Sequence, residues 1–180
     1  LPAAGVFDPP ALDIAEFCSA IHTLFEAVEW AETADVEHIL SEWLKTARVG
    51  GDVRRDVAEQ FRAAMDAASV RAALARPEGN VRLWREKRFD VVMDKHDWVS
   101  GVFDRVVIRL DDDGSVQAAT VIDYKSSIVD NTPEALRQKA DDYRPQLDLY
   151  ARALSVILNL PPDRITRQIL FTRPGRVVTL

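Results

Sequence analysis

At Val81 the spacing of apolar residues along this chain changes, and that change constrains the fold more than any other feature. Before it, apolar side chains recur at intervals of three and four: Ile14, Phe17, Cys18, Ile21, Leu24, Phe25 and Val28, then Val36, Ile39, Leu40, Trp43 and Leu44, then Val57, Phe61, Met65 and Ala68. This spacing predicts amphipathic helices over residues 11–30, 34–47 and 53–75. From Val81 the period is two. "VRLWREKRFDVVM", "WVSGVFDRVVIRL" and "SVQAATVIDYKS" alternate or run apolar with β-branched residues, which predicts three successive strands. Thr132, Pro133 and Glu134 fit N-cap, N1 and N2 of a further helix. Pro145 suggests a fresh start for another through "QLDLYARALSVIL", ended by Pro161 and Pro162. "ITRQILFT" and "RVVTL", separated by "RPG", read as a last pair of strands. The order is helices, three strands, helices, strands, an α/β sandwich with a helical N-terminal part.

With 180 residues, 47% of them apolar, the chain fits one domain with a substantial core. Its one cysteine, Cys18, excludes an internal disulfide and leaves too few thiolates for a cysteine-rich zinc site or an iron–sulfur cluster, so a reducing, cytoplasmic setting is expected. No apolar run reaches the roughly 18 residues of a membrane span. The chain begins at Leu1 and stops on the apolar "RVVTL", which fits a domain cut from a longer polypeptide. A net charge of -6 argues against a general nucleic-acid coat, but the charge is uneven. Residues 1–80 hold 7 basic and 14 acidic residues, and residues 81–180 hold 16 and 15. The second half can therefore host a basic groove around a few carboxylates, or simply carry a mixed-charge surface.

The third strand closes on "ATVIDYKSS", where two opposite charges interrupt an apolar run. Asp113-Gly114 is a two-residue hairpin signal of type I′, and without a bulge that turn sets Asp104 directly across from Asp123. Opposed side chains on antiparallel strands lie about 5 Å apart, and like charges there destabilise the sheet. Alternation puts Lys125 on the face of Asp123 and Val121, with Ile122 and Tyr124 on the other. Asp123 and Lys125 alone would make an ordinary ion pair at a strand end. Two carboxylates held together call for a divalent cation, and hard oxygen ligands suit Mg²⁺ or Mn²⁺. A cation beside a lysine is equipment for phosphodiester hydrolysis.

"SGVFDRVVIRL", "TVIDYKSS" and "YRPQLDLYARAL" resemble the nuclease domain of RecB-type helicase-nucleases, including the AddA branch, within the PD-(D/E)XK superfamily. The family's G-x-x-D-R, D-Y-K-[ST] and Q-x-x-x-Y patterns stand here as Gly101 to Arg105, Asp123 to Ser126, and Gln146 with Tyr150. "IHTLFEAVEW" looks like the family's histidine helix and "WREKRF" like its acidic strand. Singly these motifs are weak; five in this order, across residues 12–180, are specific. One departure is Cys18 and Ser19, where many relatives carry a small glycine before the histidine.

The resemblance implies a PD-(D/E)XK fold, a central mixed β-sheet flanked by helices. It implies a single domain over 1–180, with residues 1–80 carrying the histidine motif and 81–180 the sheet core. It makes Asp104, Asp123 and His22 metal ligands with the Tyr124 carbonyl as a fourth, and Lys125 the catalytic lysine. Glu86 would orient metal-bound water or pair with Arg105 or Lys125. Gln146 and Tyr150 would border the site. Arg105, with Lys87, Arg88, Lys139 and Arg144, would track a phosphate backbone without reading bases. His38 and His96 lack such context and are read as surface residues.

The resemblance implies a Mg²⁺-dependent DNA exonuclease, with Mn²⁺ as substitute, attached to a superfamily 1 helicase motor and acting on DNA ends in bacterial recombinational repair, in the cytoplasm at the nucleoid. No Walker A pattern occurs, so the motor is not in this stretch. The alternative is a nuclease-fold scaffold that has lost its chemistry and serves for DNA binding or subunit docking. A sequence-specific restriction-type enzyme shares the core chemistry, but the Gln146/Tyr150 motif and the lack of a recognition insertion oppose it.

Overall fold

The computed structural model describes residues 9–93 and 97–180, with side chains from residue 14 onward. Among the described residues four helices precede the sheet: α1 (Pro9–Ala27), α2 (Val36–Thr46), α3 (Gly51–Asp66) and α4 (Ala68–Ala73). A three-stranded meander follows, β1 (Asn80–Val92), β2 (Trp98–Leu110) and β3 (Val116–Lys125). The long α5 (Pro133–Leu158) then crosses over to β4 (Ile165–Phe171), and β5 (Arg176–Thr179) returns beside it. The sheet order is β1-β2-β3-β4-β5, with β3 and β4 parallel and every other pair antiparallel. This is the mixed sheet with flanking helices and a helical N-terminal part expected from the motifs. No helix among the described residues is long and apolar enough to cross a membrane.

Two cores form on the two sheet faces. α1 to α4 pack Ile21, Leu24, Phe25, Val57, Phe61 and Met65 against Ile122, Tyr124 and Leu170. On the other face α5 packs Leu136, Ala140, Leu147, Ala151 and Leu154 against Phe103, Val106, Val121 and Ile169. Val121 and Ile122 thus face opposite cores, as strand alternation requires.

Two helix boundaries differ from expectation. The helix expected over 53–75 breaks at Ala67, whose backbone is extended (φ -70, ψ 126). The break sends α4 alongside the sheet edge, where Ser69 Oγ accepts the Val177 N–H at 3.0 Å. Pro145 starts no new helix; it lies inside α5. Its ring sits on the exposed side, where the Asp141 carbonyl left without a donor can be hydrated. The buried stripe Leu136, Ala140, Leu147, Ala151 and Leu154 runs helically through it, so packing on the sheet carries the helix past the proline. Thr132 does cap α5, accepting the Ala135 N–H.

The β2–β3 hairpin reaches its expected register by a different route. The turn is centred on Asp112 and Asp113, with Gly114 N–H bonded to Asp111 O and Gly114 at φ +85. That turn shifts the pairing by one, and the bulge that leaves Gln117 between the Leu110↔Val116 and Arg109↔Ala118 pairs shifts it back. From Arg109↔Ala118 to Arg105↔Ile122 the register is the one the simpler turn would have produced.

Candidate active site

The site lies where β2 parts from β3. On its β4 side β3 stays paired to its end, through Lys125↔Phe171 and the Thr172 N–H to Lys125 O bond at 2.9 Å. On its β2 side the ladder stops at Arg105↔Ile122. Asp104 fills the opening: its Oδ2 accepts the Tyr124 N–H at 2.7 Å, and its side chain is almost fully buried.

Both strands that border the opening lose their alternation there. On β1, Trp84 faces the α5 core and so do Phe89 and Val91, an even position followed by odd ones; on β2, Phe103 faces it and so do Val106 and Ile108. The slips coincide at Glu86 and Asp104, between the pairs Arg85↔Arg105 and Lys87↔Phe103. Glu86 takes φ +45, a conformation rare for a residue with a Cβ. Paired slips turn both carboxylates toward α1 without changing the register on either side. Nothing in the local sequence signals this.

α1 supplies His22, whose Nδ1 lies 3.7 Å from Asp104 Oδ1 and whose Nε2 lies 3.1 Å from the Tyr124 carbonyl oxygen. The placement of α1 depends on arginine. Arg105 is fully buried, donates to Val28 O at 2.9 Å and Glu29 O at 2.5 Å, and stacks over Trp30 at 5.1 Å. Arg85 donates to Glu26 O at 2.7 Å. Carbonyls at and just beyond a helix end lack intrahelical donors, and these guanidiniums meet them. Arg105 is therefore not a phosphate-tracking residue, which corrects the expectation from sequence; it ties the histidine helix to the strand that carries Asp104.

His22, Glu86 and Asp104 each offer a ligand atom, all within 4.8 Å of one another. Glu86 Oε1 is buried without a hydrogen-bond partner, while Arg105 donates to Val28 O and Glu29 O and Lys125 meets Gln146 and Asp123. Asp123, 2 % exposed, adjoins that trio and forms an ion pair with Lys125, Oδ2 to Nζ 2.6 Å. Burial raises Asp104 to about 7, with the Asp123 charge as the next cause and the Tyr124 N–H and Lys125 opposing. Burial also raises Asp123, against the pull of Lys125. Glu86 is raised by burial and then by Asp104. Three carboxylates whose charged forms are disfavoured, one with an orphaned oxygen, beside an imidazole and a backbone carbonyl, fit a hard divalent cation.

α5 closes the other side. Lys125 Nζ donates to Gln146 Oε1 at 3.1 Å, and Gln146 Nε2 donates to the Tyr150 hydroxyl at 3.1 Å. Tyr150 meets Phe103 and Phe89 edge-on, at 5.3 and 5.8 Å between centroids. Arg144 is exposed and pairs with Asp141 on α5, apart from this cluster. Lys87 and Arg88 are exposed on β1, and Lys139 pairs with Asp142. Cys18 Sγ lies 2.8 Å from Ser126 Oγ, so the residue that departs from the motif pattern packs against the strand end. His38 is exposed on α2, and His96 lies outside the described residues.

Residues 3–177 match the PD-(D/E)XK nuclease superfamily. The chain is also 31% identical to an ATP-dependent helicase/nuclease subunit of Limosilactobacillus fermentum, over 90% of this chain. It spans 13% of that protein's length. The order of elements, the opening between β2 and β3, and these matches agree, and the chain belongs to the PD-(D/E)XK nuclease superfamily as a domain of RecB/AddA type.

Proposed function

We propose that the chain is a metal-dependent DNA nuclease that hydrolyses phosphodiester bonds without sequence specificity. The observation that carries this reading is the convergence of His22, Glu86 and Asp104 within 4.8 Å, next to an Asp123–Lys125 ion pair. A scaffold has no use for three neighbouring carboxylates whose charged forms their surroundings disfavour. His22, Asp104, Asp123 and the Tyr124 carbonyl would hold Mg²⁺, with Mn²⁺ as substitute, and Glu86 would face it as a further ligand or hold a water beside it. A cation bound there supplies polarisation of the scissile phosphate and an acidified water. The chain's own residues do the rest. The Lys125 ammonium would orient an attacking water or neutralise the charge growing on the phosphate, and Gln146 fixes where the ammonium points. Lys87 and Arg88 supply exposed positive charge for the sugar-phosphate strand, contacts that position a strand and carry no base information.

The kinship with a helicase/nuclease subunit supports a wider role: an exonuclease module fed single strands or duplex ends by a superfamily 1 motor, in the same polypeptide or complex, during double-strand-break repair.

The test is degradation of end-labelled linear single-stranded DNA by the purified chain in Mg²⁺ or Mn²⁺. Cleavage that disappears with EDTA, with Asp123→Ala and with Lys125→Ala supports the reading. An intact chain that neither cleaves nor binds Mn²⁺ by calorimetry overturns it in favour of a scaffold, while Mn²⁺ binding without cleavage assigns the missing step to the motor.

A further inference from the structure

Lys125 is held from three directions. Its ammonium meets Asp123 at 2.6 Å and Gln146 at 3.1 Å, and it lies 4.8 Å from the centroid of the Tyr143 ring. Tyr143 and Gln146 are three residues apart on α5, so one helical face presents both to the strand end. The ring itself is anchored. Its hydroxyl stands 2.6 Å from Ser127 Oγ, two residues beyond the lysine, and its face is tilted against Phe171 at 6.4 Å. Phe171 is the β4 partner of Lys125, so the ring is braced against the segment after the lysine and against the neighbouring strand. Lys139 also approaches the ring, at 5.4 Å, but its ammonium is paired with Asp142 at 3.0 Å.

We propose that Tyr143 is a positioning residue for Lys125: the ring face holds the ammonium, and packing against Phe171, which a phenylalanine retains, is enough to place the ring. The inference rests on the nuclease reading of Lys125. Its physical basis is the length and freedom of the lysine stem, which leaves the ammonium poorly defined unless several groups hold it. Asp123 cannot be the only such group, because its carboxylate is also among those proposed to face a cation, and an anion whose charge is shared attracts an ammonium less. The amide dipole of Gln146 and the negative face of the Tyr143 ring are not shared in that way.

The test compares the 180-residue chain with its Tyr143→Leu and Tyr143→Phe variants, with thermal unfolding to confirm that each folds. In metal-free protein labelled with ¹³C-lysine, the Lys125 ε-methylene resonance is identified by its loss in Lys125→Arg. Wild type and Tyr143→Phe place it upfield, under the ring current, and Tyr143→Leu returns it to the position of exposed lysines. With Mn²⁺, Tyr143→Leu lowers kcat on single-stranded DNA about tenfold with KM unchanged, while Tyr143→Phe keeps its turnover. A wild-type resonance already at the exposed-lysine position, or one that Tyr143→Leu leaves in place, overturns the proposal. So does a folded Tyr143→Leu chain with wild-type kcat. A wild-type chain that neither cleaves nor binds Mn²⁺ counts against the nuclease reading instead, and wherever cleavage is absent the resonance decides the positioning role alone.

Discussion

The Asp104 carboxylate accepts the Tyr124 backbone N–H at 2.7 Å, just past the last β2–β3 pair, Arg105 with Ile122. One side chain therefore does two jobs: it satisfies a buried donor that the parted strands leave behind, and it brings negative charge to His22 and Glu86. Asparagine and alanine separate the two. Asp104→Asn keeps an acceptor for the N–H, so the fold should hold while Mn²⁺ binding is lost in calorimetry. Asp104→Ala strands the donor and should also lower unfolding stability by about 1–3 kcal/mol. Equal stability for both variants would mean that the Tyr124 bond contributes nothing.

The same carboxylate sets a pH dependence. Its folded value is raised from 3.8 to about 7, so between those values the folded chain holds a proton that the unfolded chain releases. Stability then falls as pH rises through that window, because the native state binds more protons there than the unfolded one. Asp123 and Glu86, also raised, act in the same direction. With chelator present, the melting temperature should be higher near pH 5 than near pH 8, Asp104→Asn should flatten the slope, and Mn²⁺ should restore stability at the higher pH. A metal-free chain that gains stability over this range would contradict the burial of these charges.

Arg105 carries a different expectation from the one its sequence suggests. Buried and bonded to Val28 O and Glu29 O, it holds the end of α1. Arg105→Met leaves those carbonyls without their donor and removes a guanidinium stacked on Trp30, a loss of about 2–4 kcal/mol. The salt dependence of DNA binding should not change, since a residue that touches no phosphate releases no counterion. Denaturant titration gives the first and binding across a salt series the second. A shallower salt slope would return Arg105 to the DNA.

Much of this was legible in the residues before the fold. All five strands and the Thr132 cap follow from periodicity and turn chemistry, and the Asp123–Lys125 pair follows from alternation along β3. What was not legible has specific causes. The Asp112-Asp113 turn and the Gln117 bulge cancel, so the hairpin register came out right through two compensating departures. Pro145 reads as a helix start because a sequence window shows the missing N–H and not the sheet that holds both halves of α5. Glu86 has no local signal for φ +45, since its conformation is imposed by the paired slip with β2. Arg105 looks like any surface arginine until it meets carbonyls just past the end of α1, 77 and 76 positions away, far beyond the window in which sequence patterns speak.

Gly101 begins the G-x-x-D-R pattern, and the structure supplies its reason. A Cβ there would lie 2.9 Å from two atoms of the Phe89 ring and 3.6 Å from Tyr150. Phe89 cannot easily give way, because it is stacked on Phe103 at 4.2 Å and meets Tyr150 edge-on. Tyr150 in turn takes the Gln146 N–H, and Gln146 takes the lysine. A methyl group at Gly101 therefore presses on the far end of the chain of contacts that holds Lys125. Gly101→Ala should cost about 1–3 kcal/mol by overpacking, with a fall in kcat larger than any change in KM. Phe89→Leu removes the crowding, so the double variant should be more stable than the sum of the single losses, a coupling of about 0.5–3 kcal/mol in a double-mutant cycle. Strict additivity would show that the glycine is not there to make room for Phe89.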